Sequence, residues 1–246
     1  MKYVIVLGDG MADEPIEQLG GKTPLAYAST PVLDALSKKS EIGMVHTIPD
    51  GMKPGSDTAN LSVLGYDPRK FYSGRSPLEA LSIGVPMRDT DIALRCNIVT
   101  LSEEGTFEDK VIIDHSSSEI STEDCAVLIK AVAEQLETEE FKFYVGTSYR
   151  HCLIWNQGQV MELTQPHDIL NRQIGQYLPE DERFTEMMKK SYHILVNHPI
   201  NVARKQQGLN PANCCWFWGA GTKPLLSSFE EKTGKKGMMI SAVDLL

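Results

Sequence analysis

The chain opens on an unbroken apolar run, Tyr-Val-Ile-Val-Leu at positions 3–7, halted by Gly8-Asp9-Gly10. Such a run, rich in β-branched residues, without alternation and cut by glycine, describes a strand buried on both faces, the kind that parallel sheets contain. In those sheets the chemistry gathers at the C-terminal strand ends, where Asp9 stands. The pattern then returns. Thr30 and Pro31 open a helix in which Val32, Leu33 and Leu36 share a face. Residues 42–48 read as a second strand, the segment 49–55 as a turn-rich loop, and Ser56 or Asp57 as the cap of a short helix closed by Gly65.

From about residue 75 the texture changes. Residues 91–102 alternate in period two, 110–116 hold another short strand, and 121–137 form an amphipathic helix that begins with capping residues. Residues 141–155 and 160–163 read as strands, with Asn156-Gln157-Gly158 as the turn between them. A helix over 181–199, a proline break and a polar link follow, and then Asn213-Cys214-Cys215-Trp216-Phe217-Trp218 resumes the buried-strand style of the start. The expected organisation is one discontinuous α/β domain, residues 1–74 with 205–246, interrupted by an α+β domain at 75–204. Residues 235–246 read as a strand, a cap at Ser241 and barely one turn of apolar helix without a terminator, so the natural polypeptide is expected to continue.

With 246 residues, 41% hydrophobic and 23% charged, a sizeable core is available and one domain or two both fit. The formal net charge of -9 argues against nucleic acid, whose binding depends on lysine and arginine displacing counterions. It does not exclude a small anion, which responds to a local cluster of cations. The five cysteines are odd in number, with no zinc-like spacing, which points to reduced thiols and a cytoplasmic protein. Residues 3–7 are too short for a signal peptide, and no run of about 18 apolar residues offers a membrane span. Nothing in the sequence sets an oligomeric state.

Two residues carry chemistry on their own merits. Asp9 between glycines can project a carboxylate to a metal, although Gly-Asp-Gly is also ordinary turn chemistry. Ser56 lies at a loop-to-helix junction, where unpaired N–H groups and the helix dipole favour a phosphate, although most serines so placed are simple caps. Asn60, one helical turn on, can face the same ligand. The dipeptides Asp114-His115 and His167-Asp168 are poor metal pairs, because neighbouring side chains point apart; His167 reads as structural or substrate-side.

Taken together, residues 6–13, 19–38 and 54–68 resemble the cofactor-independent phosphoglycerate mutases of the archaeal type, members of the alkaline phosphatase superfamily. Residues 72–84, 91–100, 149–155, 165–169, 210–224 and 234–246 look like further blocks of that family, so the resemblance runs through the chain in order. It implies an alkaline-phosphatase-like, mostly parallel sheet flanked by helices, with an inserted substrate domain. It also implies interconversion of 2- and 3-phosphoglycerate in glycolysis, with a phosphoserine at Ser56. Two divalent metals (manganese, magnesium or zinc), held in part by Asp9 and Ser56, would lower the serine pKa, and no 2,3-bisphosphoglycerate would be needed. The insert would grip the glycerate and exclude water. Its cations are expected to be Arg75, Arg95 and Arg150, with His151 beside them and Lys223 at a strand end touching the phosphate. Arg95 and Asn97 share a strand face by alternation.

The resemblance is incomplete, because the family completes both metal sites with Asp and His residues from later blocks that the 246 residues lack. One carboxylate and one serine cannot satisfy two metals. The chain by itself is therefore expected to bind catalytic metal weakly and to turn over little. Two other readings stay open: a homoserine-kinase-like phosphotransferase, for which no P-loop is present, and a silent binding protein on a phosphatase scaffold.

Overall fold

The computed structural model describes residues 2–241, which divide into two compact units at Tyr66/Asp67. In the first unit the helices form as the caps require: α1 (Pro24–Tyr27) under Thr23, α2 (Pro31–Ser37) with Pro31 leading, and α3 (Ser56–Val63), whose N-cap is Gly55. The two strands do not form. Residues 3–7 and 42–46 take no strand pairing, and Val4 and Val6 are 83% and 87% exposed. Val32, Leu33 and Leu36 on α2 are exposed as well. The parallel sheet expected here is absent among the described residues, for a physical reason: a strand exists only as a hydrogen-bonded pair. An apolar run without a neighbour keeps its backbone groups for water.

The second unit is built on an antiparallel sheet. Strand β1 (Ile92–Leu101) is central: β4 (Arg150–Trp155) and β5 (Cys214–Thr222) both pair with it, β2 (Ile112–Asp114) pairs with its last residues, and β3 (Phe141–Thr147) pairs with β4. Because β5 bonds to β1, residues 214–222 belong with the sheet of the second unit and not with residues 1–74 as expected. An apolar run fits any doubly covered strand, and pattern alone does not name its partner. Residues 160–163, expected as a strand, and residues 236–241 form none. Residues 141–155 are two strands that turn at Ser148-Tyr149, and the expected polar link carries α8 (Pro199–Gln206). The short helix expected after Ser241 lies outside the described residues.

Alternation along β1 sorts its side chains between two cores. Leu94, Cys96 and Ile98 enter the larger one with Cys125, Leu128, Ile129 and Val132 of α6 (Thr122–Leu136) and Phe184, Met188 and Leu195 of α7 (Glu182–Leu195). Ala93 enters the smaller one with Ala80 of α5 (Arg75–Ser82), Cys152 and Ile154. Every residue of β1 is buried, Arg95 and Asn97 included, so its polar face is covered rather than solvated. All five cysteines are free and buried.

Candidate functional site

Within the first unit, Ser56 and Asp9 meet across 47 positions of sequence. Ser56 Oγ donates to Asp9 Oδ2 at 2.8 Å, and both residues are exposed. Gly10 follows Asp9 with φ of 74°, a left-handed turn that suits a residue without Cβ. Ser56 is the first residue of α3, so its hydroxyl sits where the helix leaves backbone N–H groups unpaired. Asn60, one turn on, donates Nδ2 to the Ser56 carbonyl at 2.6 Å and is buried, so it braces the serine from behind. Asp9 and Ser56 are hard oxygen donors of the type that magnesium, manganese and zinc accept. Among the described residues no three His, Cys, Asp or Glu side chains gather where they could hold a metal ion. Two donors fall short of completing even one such site.

In the second unit the expected cations converge on α5 and the face of β1 that it covers. Register puts Arg95 opposite Cys152 of β4, and Asn97 opposite Arg150. Arg95 is also held from β5, where its guanidinium lies 4.6 Å from the Trp218 ring, a cation–π contact. Its Nε comes within 2.7 Å of Glu79 Oε2 without the alignment of a hydrogen bond. Arg75 Nε donates to the other oxygen of Glu79 at 3.0 Å. Burial pushes the Arg95 pKa down to about 10; Arg75 and Arg150 push the same way, and Glu79 opposes them. Glu79 thus meets two guanidinium groups, those of Arg75 and Arg95, and Arg95 and Arg150 line one recess with Ser76, Glu79 and Thr147. It suits a carboxylate or a phosphate.

Local sequence explains how Arg75 reaches this place. Gly74, with φ of 118°, caps α5, and a Cβ built there would sit 3.2 Å from the Gly221 Cα on β5. A Cβ on Gly221 would meet the Ser73 carbonyl at 2.1 Å. These two glycines let residues 73–76 lie directly on β5, where Ser73 Oγ donates to the Thr222 carbonyl at 2.6 Å.

The remaining expected residues take other positions. His151 is buried: Nδ1 accepts from the Gly146 N–H at 3.0 Å, and Nε2 faces Cys125 Sγ at 3.0 Å. Burial lowers its pKa to about 3, so it stands as a neutral scaffold residue, not as a cation. Lys223 is half-buried and pairs with Asp89 at 3.0 Å. Residue type and spacing do not single out Glu79, Tyr149 or Trp218, and they argue against His115 as a metal ligand. The His115 ring stands 5.8 Å from Tyr149 and 6.1 Å from His167, and His167 stands 5.6 Å from Trp218. Burial lowers the His167 pKa; Asp168 opposes this, and His115, Arg95 and Arg75 add to it. Nothing in local sequence could have joined these rings, since they come from separate elements.

A family model described as 2,3-bisphosphoglycerate-independent phosphoglycerate mutase matches residues 37–201. The whole chain is 48% identical to a protein of that name from Methanosarcina barkeri and 48% identical to one named as a probable such mutase from Geobacter sulfurreducens; it covers 62% of each. It spans less than two thirds of the length of the curated relatives it matches. Among solved structures, the PH0037 protein of Pyrococcus horikoshii is similar at 28% identity and a TM-score of 0.67, over 91% of this chain and 52% of that one. A cofactor-independent phosphoglycerate mutase from Thermoplasma acidophilum is similar at 29% identity and a TM-score of 0.50, over 92% and 60%.

Proposed function

Because the chain belongs to the 2,3-bisphosphoglycerate-independent phosphoglycerate mutase family, we propose that it carries the phosphoryl-accepting serine and the cation recess of such a mutase, with Ser56 as the nucleophile. The observation that carries this reading is the 2.8 Å hydrogen bond from Ser56 Oγ to Asp9, at the N-terminus of a helix. A carboxylate so placed orients the hydroxyl and accepts its proton, which passes on to the departing glycerate oxygen, and the helix terminus favours the incoming phosphate. The Oγ–P bond forms as the bond from phosphorus to the glycerate oxygen breaks. The other hydroxyl of glycerate then takes the group back and frees the serine.

Divalent metals, when bound, would supply the electrophilic field that such a transfer needs. Asp9 and Ser56 would be two of their ligands, too few for the pair. The recess lined by Arg95 and Arg150, with Arg75 beside it on Glu79, is the proposed holder of the glycerate carboxylate and hydroxyls. His151, bonded to the Gly146 N–H, lines the recess as a neutral ring, and Lys223, paired with Asp89, is not among its lining residues. The parallel sheet and the inserted-domain arrangement are proposed for the full length that the relatives have. A cytoplasmic location is proposed with them; no helix among the described residues is long and apolar enough to cross a membrane.

The test is chemical trapping. The protein, extended to the length of its relatives and supplied with manganese, is quenched in acid during turnover of 3-phosphoglycerate, digested and sequenced by mass spectrometry. Phosphate is expected on the peptide containing Ser56 and is expected to vanish in Ser56→Ala. Phosphate on any other peptide, or labelling from ATP but not from phosphoglycerate, would overturn the assignment. The 246-residue chain alone is expected to show little turnover under the same conditions.

A further inference from the structure

Residues 114–119, at the end of β2, hold the most strained backbone of the second unit. Ser117, Ser118 and Glu119 have φ of 51°, 55° and 47°, three left-handed residues in succession, none of them glycine. In an L residue this conformation brings Cβ against the next carbonyl oxygen, so it occurs singly and rarely in runs. A run persists only where its surroundings over-determine it.

The surroundings do so here. The Asp114 carboxylate accepts from Ser116 N at 2.8 Å, Ser116 Oγ at 3.0 Å, Ser118 N at 2.6 Å and Asn210 Nδ2 at 2.9 Å. Burial works to raise its pKa, but the hydrogen bonds from Ser116, Asn210 and Ser118 outweigh this and hold it below the usual carboxylate value. From the end of α8, buried Arg204 donates Nη2 to the Ser117 carbonyl and Nε to the Asn210 carbonyl, the latter at 3.1 Å. Ser117 Oγ reaches the Ile98 carbonyl of β1 at 3.1 Å, and Asn210 N donates to Ser118 Oγ at 3.2 Å. One turn is thereby tied to β1, α8 and the loop before β5.

What this turn presents is His115. The residue sits between Asp114 and the left-handed run, and its ring stands edge-on to Tyr149, 88° between planes, and against His167. Tyr149 in turn lies 5.7 Å from the Arg150 guanidinium, and His167 adjoins Trp218, which carries Arg95. A row of rings therefore links the turn to the arginines of the recess.

We propose that Asp114 and Arg204 are positioning residues of the recess: by holding residues 117–119 left-handed they fix the His115 ring against Tyr149 and His167 at its edge. The proposal rests on the phosphoglycerate reading only for its consequence for affinity. The ring geometry is independent of that reading.

The experiment uses the full chain, labelled on histidine and tyrosine for NMR, with 3-phosphoglycerate as the titrated probe. In the wild type, cross-relaxation between the His115 and Tyr149 ring protons is expected. Asp114→Asn sets an amide nitrogen among donors, and Arg204→Met removes the carbonyl clamp; each is expected to abolish that signal and to raise the Kd for 3-phosphoglycerate about tenfold, equivalent to about 1.4 kcal/mol. Adding Ser118→Gly and Glu119→Gly to Asp114→Asn removes the steric penalty at two left-handed positions. This rescue is expected to restore the ring contact. If Asp114→Asn fails to fold, Asn210→Ala, which removes one hydrogen bond to the carboxylate, is read in the same way. An unchanged ring contact in both single variants, or no restoration in the glycine variant, overturns the proposal. If the wild type does not bind 3-phosphoglycerate while the ring contact responds as described, positioning stands and the substrate reading falls.

Discussion

Single side chains in the second unit are coupled closely enough that conservative changes should be felt. Glu79 is the one carboxylate against Arg75 and Arg95, and the Arg95 side chain is only 7% exposed. Glu79→Gln keeps the shape and strands a buried cation, and breaking such a pair costs about 3 kcal/mol or more. The midpoint of urea unfolding of the second unit should fall accordingly; an unchanged midpoint would mean that water already screens the pair. His151 makes a prediction about pH. Its pKa in the fold is about 3 against an ordinary 6.5, so the unfolded chain takes up a proton that the folded one refuses. Stability is then fully present above pH 6.5 and declines as pH falls toward 3, by at most about 1.4 kcal/mol per pH unit from this group. Subtracting the unfolding curves of His151→Gln from those of the wild type between pH 7 and 4.5 should isolate that slope, and parallel curves would deny it.

At the scale of elements, the sheet continues past its strands through asparagine side chains that imitate a backbone. Asn213, just before β5, accepts from Leu101 N at 2.8 Å and donates to the Leu101 carbonyl at 2.9 Å. Asn201 on α8 does the same for Ala212, accepting from its N–H and donating to its carbonyl, each at 2.8 Å. Both asparagines are fully buried. Asn213→Ala would leave a buried donor and a buried acceptor without partners, at a cost of about 2 to 4 kcal/mol. Calorimetric melting checks this, and a loss below about 1 kcal/mol would show that water enters to replace the amide. The helices need no such support. Ser121 caps α6, Asp181 caps α7, and each accepts from a backbone N–H of its first turn.

For the whole molecule, the contrast between the two units is itself testable. Apolar side chains at 4–6, 42–45 and 32–36 are exposed in the first unit, and no strand pairing ties that segment down. The second unit has a closed core in which Leu94, Phe184 and Trp216 are at most 1% exposed. Local opening is easiest where few buried contacts oppose it. Brief trypsin treatment should therefore cut at Lys22, Lys38 or Lys39 before any site in residues 75–222, and leave a resistant fragment beginning near residue 40. Equal rates in the two parts would show that the first unit is held more firmly than its exposure implies.

Motif and period were sufficient for α2, α3, α6, α7 and β1, because caps, prolines and hydrophobic spacing act within one element. They also brought Asp9 and Ser56 forward, since residue type and junction fix what chemistry is possible, while Arg75, Arg95 and Arg150 came forward through the family resemblance. Which strand lies beside which was decided by tertiary structure alone: residues 3–7 look as much like a buried strand as residues 214–222 do, and only the latter found a partner in β1. The same holds for Glu79 between two arginines, for His151 sealed as a neutral ring, and for His115 carried on a left-handed turn. Those states depend on how separate elements pack together or on burial, and local sequence holds no record of either.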